Sequence, residues 1–162
     1  MKKTKITALV LACLMMLSLL TACGSKVRDD VTTDAIATAV DSAIGNEGNM
    51  VVAPESYLES YMMMESSAYS EYQVRINAYG INIDEYGIFK GKDEAQTAAL
   101  ETAVKDYLKL RIDTWMKEYM PEEFPKLENA QVKVVGNYVM YAILDDAGKT
   151  AAFAALEKAV KA

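Results

Sequence analysis

The stretch VKVVGNYVMYAIL at residues 132–144 predicts a β-hairpin and, with it, the fold class. Residues 132–135 and 138–144 are rich in β-branched and aromatic side chains, and Gly136-Asn137 lies between them. Gly-Asn is a permitted two-residue turn because glycine adopts the positive φ that such turns require. The second arm is apolar on both faces, which indicates a strand at the centre of a sheet.

Two earlier segments also have the sequence pattern of strands. Residues 72–78 alternate with a period of two, so that Val74 and Ile76 lie on one face and Arg75 on the other. A further strand is predicted near residues 86–91, which are rich in β-branched and aromatic side chains. Together with the hairpin, these segments predict a small antiparallel sheet.

The longest helical periodicity runs from residue 93 to residue 120 and stops at Pro121. A helix of that length would be about 40 Å long. Two favourable i,i+4 ion pairs are predicted outside its apolar face: Glu101–Lys105 and Asp113–Lys117. The side chains that mark the apolar face are Leu100, Val104, Tyr107, Leu108, Arg111, Ile112, Trp115 and Tyr119.

Shorter helices are predicted on both sides of this long one. They are residues 33–44 with a Thr33 or Asp34 cap and a Gly45-Asn46 stop, residues 54–66 after Pro54, and a closing helix after Asp145-Asp146. Pro125 is expected to break any regular helix in the polar connection 122–129.

The order of these elements predicts an α+β fold, because helices and strands do not alternate regularly along the chain. We expect a small antiparallel sheet of three to four strands packed against the long central helix and the shorter helices. Residues 33–162 are of normal size for one domain with one hydrophobic core. A single α+β domain is therefore predicted over residues 33–162.

The N-terminus has the sequence pattern of a lipoprotein export signal. Three lysines among the first five residues precede an apolar run of fifteen residues, which is shorter than the roughly 20 needed to span a bilayer. The run ends in LLTACGS, residues 19–25, in which residues 20–23 resemble the lipobox of bacterial lipoproteins. We expect residues 1–22 to be a signal peptide, Cys23 to be the lipidated residue, and residues 23–32 to form a tether.

Lipidation at Cys23 would place the protein on the extracytoplasmic face of the cell membrane. Two acyl chains are sufficient for stable anchoring, since each buried methylene contributes about 0.8 kcal/mol. Cys13 lies within the signal, so no disulfide is expected in the mature chain. The net charge is −6, and removing three lysines and no acid with residues 1–22 makes it −9. That charge argues against a nucleic-acid partner.

Three motifs resemble a family of Firmicutes lipoproteins known as domain of unknown function 4358. They are the lipobox, the stretch IDEYGIFKGKDE at residues 83–94, and the hairpin with its following Asp145-Asp146. The resemblance covers most of residues 33–162. The residues at the family's recurring positions are Asp84, Glu85, Ile88, Phe89, Lys90, Gly136 and Asn137. The family assigns no catalytic or binding residues, so the resemblance implies a location but no activity.

Few catalytic arrangements are open to this chain. It contains no histidine, so Ser-His-Asp, Cys-His and imidazole metal sites are impossible, and phosphate-binding glycine signatures are absent. Three adjacent carboxylate pairs could supply a general acid and base: Asp84-Glu85, Glu122-Glu123 and Asp145-Asp146. Acids at such turns are common as helix caps and solvated corners, which is the interpretation we favour. No catalytic residue, metal ligand or cofactor is predicted.

The chain is unusually rich in tyrosine, and it contains a run of consecutive methionines. The chain has 10 tyrosines, and residues 62–64 are three consecutive methionines. Three consecutive residues cannot share one helix face, so at least one methionine should reach solvent or a neighbour. We expect Tyr57, Tyr61 and Met62 to fill the core. The alternative is a contact surface for a glycan, a peptide or a partner protein.

The sequence therefore predicts an extracytoplasmic lipoprotein that acts by binding or protein interaction at the cell envelope. Its expected partners are the membrane, through Cys23, and an envelope protein, peptide or glycan. Two other functions stay open: a carboxylate-dependent hydrolase of the envelope, and a solute-binding component of a transporter.

Overall fold

The structure, a computed structural model, describes residues 27–46, 48–79, 82–116 and 118–162. The predicted signal peptide and Cys23 lie outside the described residues. One antiparallel sheet has the strand order β1-β2-β3-β5-β4. Its strands are β1 (Met50–Val52), β2 (Glu71–Asn77), β3 (Glu85–Lys90), β4 (Gln131–Val135) and β5 (Tyr138–Ile143). The α+β class is thus confirmed, with a fifth strand because the short β1 pairs with the edge of β2.

Strands β3 and β5 form the middle of the sheet, with Glu85 opposite Ile143 at one end and Lys90 opposite Tyr138 at the other. Every residue of β5 is buried, which confirms the central strand predicted from its two apolar faces. The turn before it is the predicted Gly136-Asn137, and Gly136 has φ +58°. Here the positive φ makes glycine the favoured residue.

Helices cover both faces of the sheet. Within the described ranges they are α1 (Thr33–Ile44), α2 (Glu55–Ser60), α3 (Glu94–Asp113), α4 (Phe124–Glu128) and α5 (Asp146–Ala159). Alternate residues of the central strands therefore enter two cores. One core lies beneath α1 and α5, and the other lies beneath α2, α3 and α4.

Because helices cover both faces of the sheet, the two faces of β2 differ less in burial than its alternating sequence pattern indicates. Val74 is buried as predicted, but Arg75 on the opposite face is buried as well. The Arg75 Nε donates to Asp41 of α1 at 3.3 Å, and the Tyr86 hydroxyl donates to the same carboxylate at 2.7 Å. A polar side chain on that face is thus satisfied by the helix above it.

The long helix is shorter than predicted. It begins as expected, with the Asp93 side chain accepting from the Gln96 backbone N–H, but it ends at Asp113 and is about 30 Å long. Trp115 has left the helix, and its ring lies 6.2 Å from that of Phe124. Packing of this tryptophan against α4 thus replaces the last predicted turns.

The prediction about Pro125 is corrected, and one of the two predicted ion pairs is confirmed. Pro125 does not prevent a helix, because it lies in the first turn of α4, where its missing N–H would be unpaired in any case. The Glu101–Lys105 pair is present at 2.6 Å. Asp113 pairs with Lys109, and the predicted Asp113–Lys117 pair stays a prediction because Lys117 lies outside the described residues.

The methionine run lies beyond the end of α2, which closes at Ser60 rather than near residue 66. Met62 and Met64 are buried, whereas Met63 is exposed and has φ +53°. One methionine of three therefore faces solvent, as the sequence predicts. Tyr61 is exposed too, which corrects its expected place in the core.

Residues of the expected tether lie against the body of the domain. Val27 forms a bridge with Lys161, and the Arg28 backbone N–H donates to Val160 O at 2.8 Å. The Tyr138 hydroxyl donates to Val31 O at 2.6 Å. The chain thus enters the domain at the end of the sheet that carries the β4–β5 turn. Among the described residues, no helix is both long and apolar enough to cross a bilayer.

Candidate functional site

Glu85, the first residue of β3, is a buried carboxylate in the core beneath α2 and α3, with only 3% of the residue exposed. Its Oε1 accepts from the hydroxyls of Tyr141 at 2.5 Å and Tyr107 at 2.6 Å. Its Oε2 accepts from the Tyr57 hydroxyl at 3.0 Å and from Arg111 Nη1 at 2.7 Å. We call these five residues the Glu85 cluster. Four donors compensate for the water that this carboxylate has lost.

The sequence assembles the cluster from four elements. Tyr107 and Arg111 are four residues apart on α3 and so lie on one helix face. Tyr57 comes from α2 and Tyr141 from β5, where it is paired with Gly87 of β3. A Cβ at Gly87 would lie 2.3 Å from Tyr141 Cε1, so glycine leaves the space that the tyrosine ring fills.

The cluster holds its tyrosines in the neutral form. Burial, followed by the negative charge of Glu85, raises the pKa of Tyr107, Tyr141 and Tyr57 above the ordinary value of 10.0. Burial alone would lower the pKa of Arg111, but the charge of Glu85, the hydroxyls of Tyr107 and Tyr57 and the hydrogen bond to Glu85 together outweigh it, and the pKa is raised. The three hydroxyls are therefore neutral hydrogen-bond donors to Glu85, and those of Tyr107 and Tyr57 also accept from Arg111.

An open cleft of about 480 Å³ begins at the surface of this cluster, and we call it the Arg111 cleft. Arg111, Tyr57, Tyr61, Asn82 and Asp84 all line it. The Tyr61 ring stacks on the Tyr57 ring at 5.0 Å and is 62% exposed. The exposed Tyr61 ring thus lines the same cleft as the Arg111 guanidinium, whose position is fixed by its hydrogen bonds to the Glu85 cluster.

Hydrogen-bonding capacity remains in this cleft. The hydrogen bonds of Arg111 to described residues all use Nη1, which donates to Glu85, to the Tyr107 hydroxyl at 2.7 Å and to the Tyr57 hydroxyl at 3.3 Å. Its Nε and Nη2 are therefore available to a ligand. The Asn82 side-chain oxygen accepts a hydrogen bond from the Asp84 backbone N–H at 3.1 Å. The side-chain NH₂ group of Asn82 has no partner in the described part of the chain.

The charged side chains around the cleft form ion pairs with one another. Asp84 accepts from Lys126 Nζ at 2.8 Å, and Glu123 accepts from the same nitrogen at 3.0 Å. Glu123 also accepts from the Ile83 backbone N–H at 2.9 Å, which fixes the start of β3. Glu85 is paired with Arg111, and two carboxylates share Lys126, so one net negative charge remains among these groups.

The three predicted carboxylate pairs do not act as pairs. Asp84 faces Lys126, whereas its neighbour Glu85 is buried in the tyrosine cluster, so the expected solvated corner is wrong for Glu85. The fold instead brings Asp84 and Glu123 together around one lysine. Glu122 is exposed.

The third pair has structural partners. Asp145 caps α5 by accepting from the Gly148 N–H at 2.7 Å, as the favoured interpretation predicts. Asp146 pairs with the buried Lys149 at 2.9 Å. Within the described ranges, no three His, Cys, Asp or Glu side chains are arranged to hold a metal ion.

Sequence reasoning did not find the Glu85 cluster, although one signal was present. Arg111 falls on the apolar face of the long helix, one turn after Tyr107. A charged side chain in an apolar stripe requires a buried partner of opposite charge. The partner, Glu85, is 26 residues earlier in the chain, and spacing alone does not identify it.

Comparisons with known proteins place the chain in a family. No curated protein and no solved structure matches it significantly. The family model described as "Domain of unknown function (DUF4358)" matches residues 42–144, which include β1 to β5 and the whole Glu85 cluster. The match spans more than half of the chain, and the protein therefore belongs to the DUF4358 family.

Proposed function

We propose that this protein is a lipid-anchored binding protein of the cell envelope, and that the Arg111 cleft receives a neutral, hydroxyl-rich ligand, a glycan. The anchor is supported by the sequence of residues 1–23, which combines a basic start, a short apolar run and a lipobox cysteine. Acylation of Cys23 would hold the folded domain on the outer side of the membrane.

The geometry of the cleft supports a neutral ligand over a charged one. Arg111 is paired with Glu85 at 2.7 Å, and Lys126 is paired with both Asp84 and Glu123, so these five groups carry one net negative charge. A bound anion would lie close to the Glu85 carboxylate, and a bound cation close to the guanidinium. A ligand without charge avoids both repulsions and still uses the free donors of Arg111 and Asn82.

The exposed ring of Tyr61 supports a sugar ring as the ligand. The flat face of an aromatic ring packs against the C–H groups of a sugar, while the surrounding hydroxyls need donors and acceptors at the rim. Tyr61 is held in place by stacking on Tyr57, whose hydroxyl is bound to Glu85. The observation that carries the proposal is this aromatic ring beside the fixed but incompletely bonded Arg111.

Binding is favoured over hydrolysis because the acids near the cleft already have partners. Glu85 accepts four hydrogen bonds, and Asp84 and Glu123 share Lys126. A general acid and base would need two carboxyl groups that face the substrate. Among the described residues, the carboxylates that line the cleft are Asp84 and Glu85, and each already accepts a hydrogen bond from a cationic side chain.

The experiment is calorimetric titration of the detergent-solubilised mature protein with glucose, N-acetylglucosamine, maltose and chitobiose. We expect at least one sugar to bind with a Kd of about 1 mM or tighter, and Tyr61→Ala to weaken that binding about tenfold. Tyr119→Ala is the matched control, because Tyr119 is equally exposed at 63% and does not line the cleft.

The outcome that overturns the proposal is equally defined. Failure of all four sugars to bind, or an equal loss of affinity in Tyr61→Ala and Tyr119→Ala, would show that this cleft is not a glycan-binding site. Release of monosaccharide from chitobiose or maltose by the wild-type protein, abolished by Asp84→Asn, would establish the hydrolase instead.

A further inference from the structure

A second hollow of about 380 Å³ lies beside the Arg111 cleft at the same end of the sheet. We call it the Asn49 hollow, and Asn46, Asn49 and Tyr79 line it. The Tyr79 ring is 64% exposed, so this hollow also contains one exposed aromatic ring. Its polar lining repeats the chemistry of the first cleft, which is an aromatic face surrounded by side-chain amides.

The two hollows share part of their lining. Asn77, Asn82 and Asp84 belong to both. The Asn77 side-chain amide donates to the Asn82 side-chain oxygen, and Asn77 Oδ1 accepts from the Tyr79 backbone N–H at 2.7 Å. The boundary between the hollows is therefore a hydrogen-bonded ridge that also positions Tyr79.

Hydrogen-bond donors on both sides of this ridge have no partner among the described residues. Asn46 is not one of them, because its side chain is bonded to Asp41 and to the Met50 backbone N–H. The Asn49 side chain is exposed and makes no hydrogen bond to the part of the chain that the structure describes. Asn49 on one side, Asn82 on the ridge and Arg111 on the other side thus follow one continuous polar path.

From this arrangement we infer that the ligand is a chain of at least two sugar rings, with one ring on Tyr61 in the Arg111 cleft and the next on Tyr79 in the Asn49 hollow. The inference rests on the proposed glycan function. It adds the substrate class, an oligosaccharide, and the residues that distinguish it from a single sugar, Tyr79 and Asn49.

Occupation of both hollows by one molecule would strengthen binding by effective concentration. The second ring reaches its site without a further loss of translational freedom once the first has bound. A disaccharide is therefore expected to bind about tenfold or more tightly than its own monosaccharide, provided that it spans the ridge.

The test compares N-acetylglucosamine with chitobiose and chitotriose by calorimetry on the detergent-solubilised mature protein. We expect the disaccharide to bind about tenfold more tightly than the monosaccharide. Tyr79→Ala should abolish that gain and leave the monosaccharide affinity unchanged, whereas Tyr61→Ala should weaken both. Asn49→Ala should weaken only the longer ligands, and Tyr119→Ala should change nothing.

Equal affinities for one and two rings, or a Tyr79→Ala protein that retains the full gain, would overturn the two-site inference while leaving the single cleft intact. If none of the three sugars binds and the panel of the previous section also fails, the proposed function itself falls. The two failures are therefore distinguishable. Because Tyr79 and Asn49 are both exposed, their substitution leaves the core unchanged, and circular dichroism of each variant checks this.

Discussion

Arg111 of α3 and Glu85 of β3 form an ion pair, with 2.7 Å between Nη1 and Oε2, inside a group of three tyrosine hydroxyls. The pair joins the long helix to the first residue of a central strand. The side chain of Glu85 is 4% exposed and that of Arg111 is 24% exposed. Because the pair is shielded from solvent, removing either partner leaves an uncompensated charge and should lower the stability of the fold strongly.

Glu85→Gln is therefore expected to lower the free energy of unfolding by about 3 kcal/mol. The amide keeps the shape of the side chain but leaves the guanidinium without its anion, and its NH₂ group faces hydroxyl donors. The midpoint of urea unfolding at unchanged slope measures the effect. Glu101→Gln is the matched control, since it removes an exposed pair with Lys105 and should cost about 0.5 kcal/mol or less. Equal losses in the two variants would contradict the role of Glu85.

The tyrosines of the cluster predict a loss of stability at alkaline pH. Their pKa values are raised in the folded protein and lie near 10.0 in the unfolded chain. Above that pH the unfolded chain releases protons that the folded protein retains. The stabilisation is thus fully present below pH 10 and falls as the pH rises towards the folded values.

Urea unfolding between about pH 8 and about pH 11 measures this dependence. Tyr107→Phe should show a shallower decrease above pH 10, because one of the three phenol groups is gone. A wild-type stability that does not change across the range, or an identical slope in Tyr107→Phe, would show that these phenols do not titrate with unfolding.

Gly87→Ala is expected to destabilise the protein by about 2 kcal/mol, because the added Cβ would lie within 2.3 Å of the Tyr141 ring. In a Tyr141→Leu background the same substitution should cost less than about 1 kcal/mol, since the smaller side chain leaves room for the methyl group. Urea unfolding of the two single variants and the double variant gives the coupling energy. Strictly additive losses would mean that Gly87 is not required by the tyrosine.

The regular elements were largely predictable from the sequence because their signals are local. The Gly136-Asn137 turn, the two apolar faces of β5 and the Asp93 cap each depend on a few neighbouring residues. The end of α3 was not predictable in this way. Its apolar pattern continues to Tyr119, whereas the helix stops at Asp113 and Trp115 packs near Phe124, a tertiary contact that the local pattern does not contain.

The candidate site could be predicted only in part. The sequence pattern places Arg111 on the apolar face of its helix, but it predicts a core position for Tyr61, which is exposed. The contacts of Tyr57 and Arg111 with Glu85 depend on the pairing of β3 with β5 and on the packing of α3. These are long-range contacts. A dipeptide such as Asp84-Glu85 at a turn is usually solvated, and only the tertiary partners show that its second residue is buried.

The proposed anchor predicts a specific chemical modification at Cys23. A labelled long-chain fatty acid supplied to the growing cells should be incorporated into the wild-type protein and into Cys13→Ala, but not into Cys23→Ala. Cys13→Ala is the matched control because it removes the other thiol of the chain, which lies in the predicted signal. Incorporation into Cys23→Ala, or an unmodified Cys23 thiol in the mature wild-type protein, would exclude the anchor.

The most direct measurement of ligand binding at the cleft is the nuclear magnetic resonance signal of the Arg111 side-chain Nε–H during titration with chitobiose. The chain has three arginines, and Arg75 provides an internal control because it is bound to Asp41 beneath the opposite face of the sheet. We predict that the Arg111 signal shifts with the sugar in the wild-type protein, shifts only at much higher concentration in Tyr61→Ala, and that the Arg75 signal stays in place. An Arg111 signal that does not move at saturating sugar would contradict the assignment of this cleft as the binding site.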